Sequence, residues 1–260
     1  LDISVRDVEE RAQWAETLGG TLLPTGTIRL ESGQRIRDLP GYKDGKWWVQ
    51  DAAAALPATL FSHYDGKTIY DLCAAPGGKT MQLAARGANT IAVDKSEGRL
   101  RRVYENLERV DLGAAIVTGD ATDLADDAPI ADAVLLDAPC SATGTIRRHP
   151  DILLRQNDAL MKSLLPIQQK LLLQADRVLA VGGELIYCTC SMQPDEGEFQ
   201  IKSFLADHPN YARKPITADE LGGWDEAITA EGELRILPVH MTDLGGMDGF
   251  YCARLVKQRG

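Results

Sequence analysis

Short apolar runs and longer amphipathic segments alternate along most of this 260-residue chain. The apolar runs are rich in Val, Ile, Leu and Thr and predict strands. These strands are expected at 68–72, 90–94, 115–120, 132–137, 184–189, 234–239 and 249–255. Strands that alternate with helices favour an α/β fold, with a mostly parallel seven-stranded sheet covered by helices on both faces.

The segments between the strands predict helices at 78–86, 98–110, 158–180 and 194–206. We expect the third of these to stop at Gly182-Gly183, because glycine commonly ends a helix. The alanine-rich stretch from Ala52 to Leu60 predicts another helix, with Asp51 as its N-cap.

Residues 1–46 differ in composition from the rest of the chain, because they carry mixed charges and many glycines and prolines. We expect a small α+β appendage, with a helix over 8–18 and strands at 22–23 and 27–30. The main domain is then 47–260. The adjacent Trp47 and Trp48 either wedge the appendage onto the main domain, which we favour, or stack on nucleic-acid bases.

The ten residues Asp71 to Thr80, Asp-Leu-Cys-Ala-Ala-Pro-Gly-Gly-Lys-Thr, join the first main-domain strand to its helix. A strand, a glycine turn and a helix N-terminus let backbone N–H groups approach a ligand closely. We expect Gly77 and Gly78 to leave out the Cβ atoms that would block that approach. The spacing matches neither G-x-G-x-x-G nor the Walker pattern. The turn therefore predicts a ligand site of another kind.

Candidate ligand residues follow several strands. In an open α/β sheet, ligands bind beyond the carboxyl ends of the strands. Asp94, Asp120, Asp137 and Cys190 lie at or just past such ends. Asp94 comes roughly 20 residues after the glycine turn, where an acid can accept from both ribose hydroxyls of a nucleoside. Its alternative role is a cap for the helix that follows.

The charge balance sets a limit on binding to nucleic acids. With 28 Lys and Arg against 38 Asp and Glu, the formal net charge is −10, whereas an RNA-binding protein is expected to show a basic stripe. Two local clusters exist and are either solvated faces or phosphate contacts. They comprise Arg99, Arg101 and Arg102, then Arg147, Arg148, His149 and Arg155.

Five cysteines without paired spacing argue against a disulfide framework and favour a reducing, cytoplasmic location. Cys188-x-Cys190 is too tight for a usual zinc pair, so we expect no metal. No apolar run approaches the ~20 residues of a membrane helix. The chain starts Leu1-Asp2 without Met, and we expect a longer protein from which the N-terminus has been cut.

Three strings in order carry a family resemblance: Asp71 to Thr80, Asp-Ala-Pro-Cys-Ser at 137–141, and Thr-Cys-Ser at 189–191. Over roughly residues 45–257 the chain resembles the Nol1/Nop2/Sun (RsmB-like) family of RNA 5-methylcytosine methyltransferases. The resemblance implies a Rossmann-like fold, S-adenosylmethionine as the cofactor and RNA as the partner. We also expect a monomer.

The resemblance also implies roles for residues. The implied cofactor-binding residues are Cys73, Ala74, Ala75, Pro76, Gly77, Gly78, Lys79, Asp94, Arg99, Asp120 and Asp137. The implied catalytic residues are Cys190, Cys140, Asp137 and Lys79. Lys79 either lowers a thiolate pKa or snorkels, and the resemblance favours catalysis. The stretch 245–250 resembles the closing loop of the family.

Two cysteines suit a methylation at carbon 5 of cytosine. This carbon is a poor nucleophile until a thiolate adds to carbon 6. A second thiol can then assist release of the product. DNA cytosine methyltransferases use a Pro-Cys nucleophile, so the chemistry alone leaves open whether Cys140 or Cys190 attacks. The family resemblance assigns attack to Cys190 and release to Cys140, and we expect Cys188 and Cys252 to be buried hydrophobes.

The expected function is methylation of carbon 5 of a cytosine in RNA. The Leu-Pro-Thr-Gly and Trp-Trp-Val-Gln-Asp contexts are most similar to the bacterial enzymes that act on 16S ribosomal RNA. Alternatives are a transfer-RNA cytosine-5 methyltransferase, which shares every catalytic string, and a non-catalytic RNA-binding ribosome assembly factor. In a small-molecule or protein methyltransferase the paired cysteines would have no purpose.

Overall fold

The N-terminal residues form a small antiparallel sheet packed on one helix. A computed structural model describes residues 1–31, 33, 35–155 and 158–260, with the backbone alone at residues 153, 155 and 158. The elements are β1 (Asp2–Val5), α1 (Arg11–Thr17), β2 (Thr21–Leu22), β3 (Ile28–Arg29) and β4 (Trp47–Val49). Their strand order is β2-β3-β1-β4, and Ile3, Ile28 and Ala15 share a core of their own. This is the α+β appendage that the sequence predicts.

The two tryptophans lie on opposite faces of β4. Trp47 is fully buried in the appendage core, and Trp48 packs with Met81 and Val103 of the main domain. The wedge interpretation is therefore confirmed, and stacking of these side chains on bases is wrong. Because β4 pairs with β1, the N-terminal sheet extends to Val49. The division of the chain at 46/47 stays a prediction.

The remaining elements alternate along the chain. The strands are β5 (Thr68–Leu72), β6 (Asn89–Asp94), β7 (Ala115–Thr118), β8 (Ala131–Asp137), β9 (Leu179–Thr189), β10 (Tyr211–Arg213), β11 (Leu234–Ile236) and β12 (Phe250–Lys257). The helices are α2 (Ala52–Ala55), α3 (Gly78–Ala85), α4 (Glu97–Val110), α5 (Ile152–Arg155), α6 (Asp158–Val178) and α7 (Glu198–Asp207). Helix α2 is shorter than predicted, because Pro57 begins a separate 3-10 turn.

The main sheet is mostly parallel and has the order β10-β12-β9-β8-β5-β6-β7. Strands β7, β6, β5, β8 and β9 run parallel, and β12 pairs antiparallel to β9. Seven strands lie on this path, and β11 pairs with β12 beside it, so the sheet of the described residues has eight strands. Successive side chains on β9 enter opposite cores, with Ile186 on one face and Tyr187 on the other.

The predicted helix stop at Gly182-Gly183 is wrong. Helix α6 ends at Val178, and both glycines lie inside β9. The ladder to β8 shifts there, because Ala131 pairs with Leu179 whereas Ala133 pairs with Glu184. The glycines therefore accommodate an irregularity in the sheet, which is a second common use of this residue.

Among the described residues, no helix is both long and apolar enough to cross a membrane. In the same part of the chain, no group of three or more His, Cys, Asp and Glu side chains is arranged to hold a metal ion. The parallel strands β5, β6, β8 and β9 end at Leu72, Asp94, Asp137 and Thr189, which brings the loops after them to one edge of the sheet.

Candidate active site

The loop after β5 has a tightly packed backbone. Cys73 and Gly77 have positive φ angles of 65° and 99°. A Cβ on Gly77 would lie 3.0 Å from Val103, and one on Gly78 would lie 3.2 Å from Gln50. The space that these glycines leave is therefore filled by the protein itself. Gly77 is therefore needed for its left-handed conformation and Gly78 for packing, and the predicted role of both glycines in binding a ligand stays a prediction.

Asp94 ends β6 and faces this loop. Its carboxylate is 2% exposed and accepts hydrogen bonds from Ala75 N (3.2 Å) and Ser96 N (3.0 Å). The side chain that caps α4 is Ser96, so the capping alternative for Asp94 is wrong. Each carboxylate oxygen has two acceptor sites, so Asp94 can still accept from further donors.

Asp94 borders a cleft, which we call the Asp94 cleft. Its lining is formed by Cys73, Asp94, Lys95, Arg99, Asp120, Ala121, Thr122, Pro139, Ile167 and Leu171. Arg99 lies 3.4 Å from the Asp94 carboxylate and donates to the Ala75 carbonyl over 2.5 Å. Asp120 is exposed, and hydrogen bonds from the Thr122 amide and hydroxyl lower its pKa.

Lys79 and Asp137 form a short ion pair on the other side of the loop. Lys79 Nζ lies 2.7 Å from Asp137 Oδ2 and 5.4 Å from the centre of the Phe250 ring. Burial lowers the pKa of Lys79, but the charge of Asp137 and their hydrogen bond outweigh it and raise the pKa overall. Lys79 does not snorkel, since its side chain is only 9% exposed. Its nearest charged partner is a carboxylate rather than a catalytic thiolate.

Cys140 and Cys190 meet at the loops after β8 and β9. Their sulfur atoms are 3.4 Å apart. The hydrogen bond to Cys190 and burial raise the pKa of Cys140 well above its ordinary value. Cys140 therefore favours the protonated thiol, and either sulfur can be the donor in this contact.

Cys190 also borders a large cavity of about 510 Å³, which we call the Cys190 cavity. Asp137, Lys79, Arg148 and Phe250 line the same space. Cys140 is not among its lining residues, although its sulfur touches that of Cys190. A molecule in this cavity therefore contacts Cys190 rather than Cys140.

Phe250, Asp248 and Glu196 are site residues that the sequence analysis did not assign. Asp248 and Phe250 lie within the predicted closing loop at 245–250, so that resemblance was their signal. Glu196 is fully buried and hydrogen-bonded to Ser141 and Ser191, the residues that follow Cys140 and Cys190. Its only signal in the sequence was a carboxylate near the start of a predicted helix.

Two arginines of the second basic cluster are paired with acids. Arg148 lies 2.5 Å from Asp248, and Arg147 lies 3.3 Å from Asp51. Both guanidinium groups remain partly exposed, at 47% and 36%. The side chain of Arg155 lies outside the described residues. In the first cluster, Arg101 and Arg102 are exposed on α4, as expected of a solvated face.

Cys188 and Cys252 are buried in the core, as predicted for structural cysteines. Burial raises the pKa of each thiol. Cys73 lies in the loop, and burial raises its pKa to about 12, so its side chain stays a thiol. None of these three is positioned as a nucleophile.

Residues 58–256 match the sequence model of a family described as 16S rRNA methyltransferase RsmB/F. The chain belongs to the RsmB/F family of 16S rRNA methyltransferases. A similar RsmB/F relative is the ribosomal RNA small subunit methyltransferase B of Sodalis glossinidius. It is 42% identical over 235 residues, which cover 89% of this chain and 51% of the relative. The chain therefore spans about half the length of this curated relative.

Two solved structures resemble this RsmB/F chain. A methyltransferase homolog protein from Pyrococcus horikoshii has a TM-score of 0.80 at 25% identity, covering 99% of this chain and 86% of the other. NSun6 from the same organism, solved with SFG, an analogue of S-adenosylmethionine, has a TM-score of 0.74 at 27% identity. That match covers 90% of this chain and 58% of the other.

S-adenosylmethionine is the cofactor of the RsmB/F family, and the residues present fit it. Asp94 offers free acceptor sites for ribose hydroxyls, and the Asp94 cleft has apolar walls from Pro139, Ile167 and Leu171 that suit a purine ring. The partly exposed Arg99 lies beside Asp94 at the same cleft.

Proposed function

We propose that this chain transfers a methyl group from S-adenosylmethionine to carbon 5 of a cytosine in RNA, with 16S ribosomal RNA as the substrate. The observation that carries the proposal is the contact of two thiols, 3.4 Å apart, at the wall of the Cys190 cavity. A methyl transfer to a more nucleophilic atom would need neither thiol.

The proposed reaction begins with Cys190. Its thiol loses its proton to solvent, the thiolate adds to carbon 6 of the ring and forms a carbon–sulfur bond, and the electrons of the 5,6 double bond make carbon 5 nucleophilic. S-adenosylmethionine held in the Asp94 cleft would supply the electrophilic methyl group for that carbon and would leave as S-adenosylhomocysteine. The proton on carbon 5 then passes to a water molecule, the carbon–sulfur bond breaks, and the ring double bond returns.

The ion pair of Lys79 and Asp137 orients the base. We infer that Asp137 accepts a hydrogen bond from the exocyclic amine, or shares a proton with ring nitrogen 3, which stabilises the charge that develops in the ring. Lys79 holds the carboxylate in place through its 2.7 Å contact. The sequence analysis considered that Lys79 lowers a thiolate pKa. In this proposal Lys79 instead orients the Asp137 carboxylate.

Cys140 acts when the product leaves. Its sulfur lies 3.4 Å from the Cys190 sulfur, and its thiol, which is ordinarily protonated at neutral pH, can donate a hydrogen bond to the Cys190 thiolate as the carbon–sulfur bond breaks. A donor at this place makes thiolate a better leaving group.

Tritium release tests the reaction. RNA with tritium at carbon 5 of cytosine is incubated with the chain and carbon-14-methyl-labelled S-adenosylmethionine. We expect equal amounts of tritium in water and carbon-14 in RNA, with unmodified 16S ribosomal RNA as the substrate. Release from transfer RNA alone would identify the transfer-RNA enzyme. Carbon-14 in RNA without tritium release would exclude carbon 5, and RNA binding without either label would indicate an assembly factor.

A further inference from the structure

Glu196 is a fully buried carboxylate in the 3-10 turn Pro194–Glu196. Its hydrogen-bond partners within the described residues are all neutral. Oε1 accepts from Ser141 N at 2.9 Å and Gln168 Nε2 at 3.1 Å, and Oε2 accepts from the hydroxyls of Ser141 at 2.5 Å and Ser191 at 2.6 Å. A buried carboxylate without a cation is costly, so its presence here calls for a reason beyond packing.

The two serines reveal what the carboxylate connects. Ser141 directly follows Cys140 on the loop after β8, and Ser191 directly follows Cys190 on the loop after β9. The hydroxyls of the serines are also 3.1 Å from each other. One side chain thus joins the two loops at the residues next to the two thiols.

We propose that Glu196 is a positioning residue for the thiol pair, because its carboxylate joins the serine after Cys140 to the serine after Cys190 and so holds the two sulfurs in contact. The proposal rests on the covalent reaction proposed above, which needs that contact. Glu196 does not line the Cys190 cavity, so it acts through the two cysteines rather than on the base.

The charge of Glu196 has a second effect. A negative group near a thiol disfavours the thiolate, and Glu196 adds to the raised pKa of Cys140 after the larger effects of the Cys190 contact and burial.

The separation of the sulfurs can be tested without RNA. Diamide oxidises two neighbouring thiols to a disulfide and takes up their two electrons and two protons. The Cys140–Cys190 linked peptide is quantified by mass spectrometry over time, at a temperature far below unfolding. We expect Glu196→Ala to slow its formation on the order of tenfold. Asp195→Asn, which neutralises the exposed acid next to Glu196, serves as the control with the wild-type rate.

Glu196→Gln separates the connection from the charge. The amide can accept from the two N–H donors through its oxygen and donate to the two hydroxyls through its nitrogen. We expect it to restore the linking rate. The pH profile of Cys140 alkylation by iodoacetamide should then move to lower pH, because the nearby charge is gone. If Glu196 only stabilised the fold, Glu196→Gln would restore the linking rate but would leave the pH profile of Cys140 alkylation unchanged.

In the methylation assay, Glu196→Ala should lower kcat on the order of tenfold and leave KM for RNA and the affinity for S-adenosylmethionine unchanged. If Glu196→Ala does not fold, Ser191→Ala breaks the connection on one side and should slow linking in the same direction. Linking at the wild-type rate in the folded variant overturns the proposal. Should the wild-type chain form the disulfide but methylate no RNA, the proposed function fails while the linking rates still decide the role of Glu196.

Discussion

Gly144 and Gly249 meet backbone to backbone beside the two cysteines. The Gly249 amide donates to the Gly144 carbonyl over 2.8 Å, and a Cβ on Gly144 would lie 1.9 Å from the Gly249 oxygen. The Gly144 amide in turn donates to the Cys190 carbonyl over 2.9 Å. The segment before β12 is thus fixed to both cysteine loops, which carries Asp248 and Phe250 to the wall of the Cys190 cavity.

Replacement of Gly144 by Ala should displace this segment. The added methyl group would collide with a backbone oxygen, which cannot rotate away as a flexible side chain can. We expect methyl transfer to fall on the order of 100-fold, since displacement of catalytic groups by about 1 Å has effects of that size. Gly113→Ala is the matched control, because nothing lies within 4 Å of its Cβ. Equal activity of both variants would show that the contact of Gly144 with Gly249 is dispensable.

Asp94→Ala should weaken binding of S-adenosylmethionine by about 1–3 kcal/mol, the cost of leaving buried polar groups unpaired. The alanine also removes the acceptor of the Ala75 amide, so part of the loss comes from the loop itself. Isothermal titration calorimetry measures the affinity, with the exposed Asp123→Ala as the control. Wild-type affinity in a folded Asp94→Ala protein would exclude the assigned role.

Asp71 predicts a dependence of stability on pH. Burial raises its pKa to about 7, against the lowering effect of the Thr80 hydrogen bond. The folded value lies above the unfolded value of about 4. The protonated carboxyl therefore contributes its full stabilisation of the folded state below pH 4, and this contribution is lost as the pH rises to 7. Asp71→Asn keeps an acceptor for Thr80 and cannot ionise. The free energy of unfolding of Asp71→Asn minus that of the wild type should therefore increase by about 1.4 kcal/mol per pH unit over that window.

Urea denaturation at pH 5, 6, 7 and 8 measures the difference between Asp71→Asn and the wild type. The difference should level off above pH 7, where the folded carboxyl is ionised too. A difference that stays constant from pH 5 to pH 8 would mean that Asp71 does not titrate in this range.

The sequence predicted the loops better than it predicted their contacts. Local sequence motifs placed Asp94, Asp137 and Cys190 at strand ends. The parallel sheet brings these ends together, because the carboxyl ends of parallel strands lie at the same edge. The glycine pair at 182–183 was misjudged because glycines mark helix ends and strand irregularities alike.

Other features depend on contacts between distant residues. Glu196 binds Ser141 across 55 positions of sequence, and no periodicity reports such a contact. The pairing of Arg148 with Asp248 spans 100 positions, so the net charge could not reveal it. Strand β10 has three residues, too few to form a pattern.

The two thiols make the most specific prediction, because they act at different steps. Cys190→Ala should abolish methyl transfer, since the described residues that line the Cys190 cavity include no other cysteine. Cofactor binding should persist, because Cys190 does not line the Asp94 cleft. Cys140→Ala removes the donor to the Cys190 sulfur, so attack and methylation proceed while release of the product slows.

The Cys140→Ala variant should therefore accumulate as a protein–RNA adduct that survives denaturing gel electrophoresis, and the Cys190→Ala variant should form none. Cys252→Ala, which removes a buried thiol outside the site, is the control and should release its product as the wild type does. An adduct in the Cys190→Ala variant would reverse the two roles and indicate the mechanism of DNA cytosine methyltransferases. Full activity of both variants without any adduct would exclude covalent catalysis, because neither thiol would then be needed to activate carbon 5.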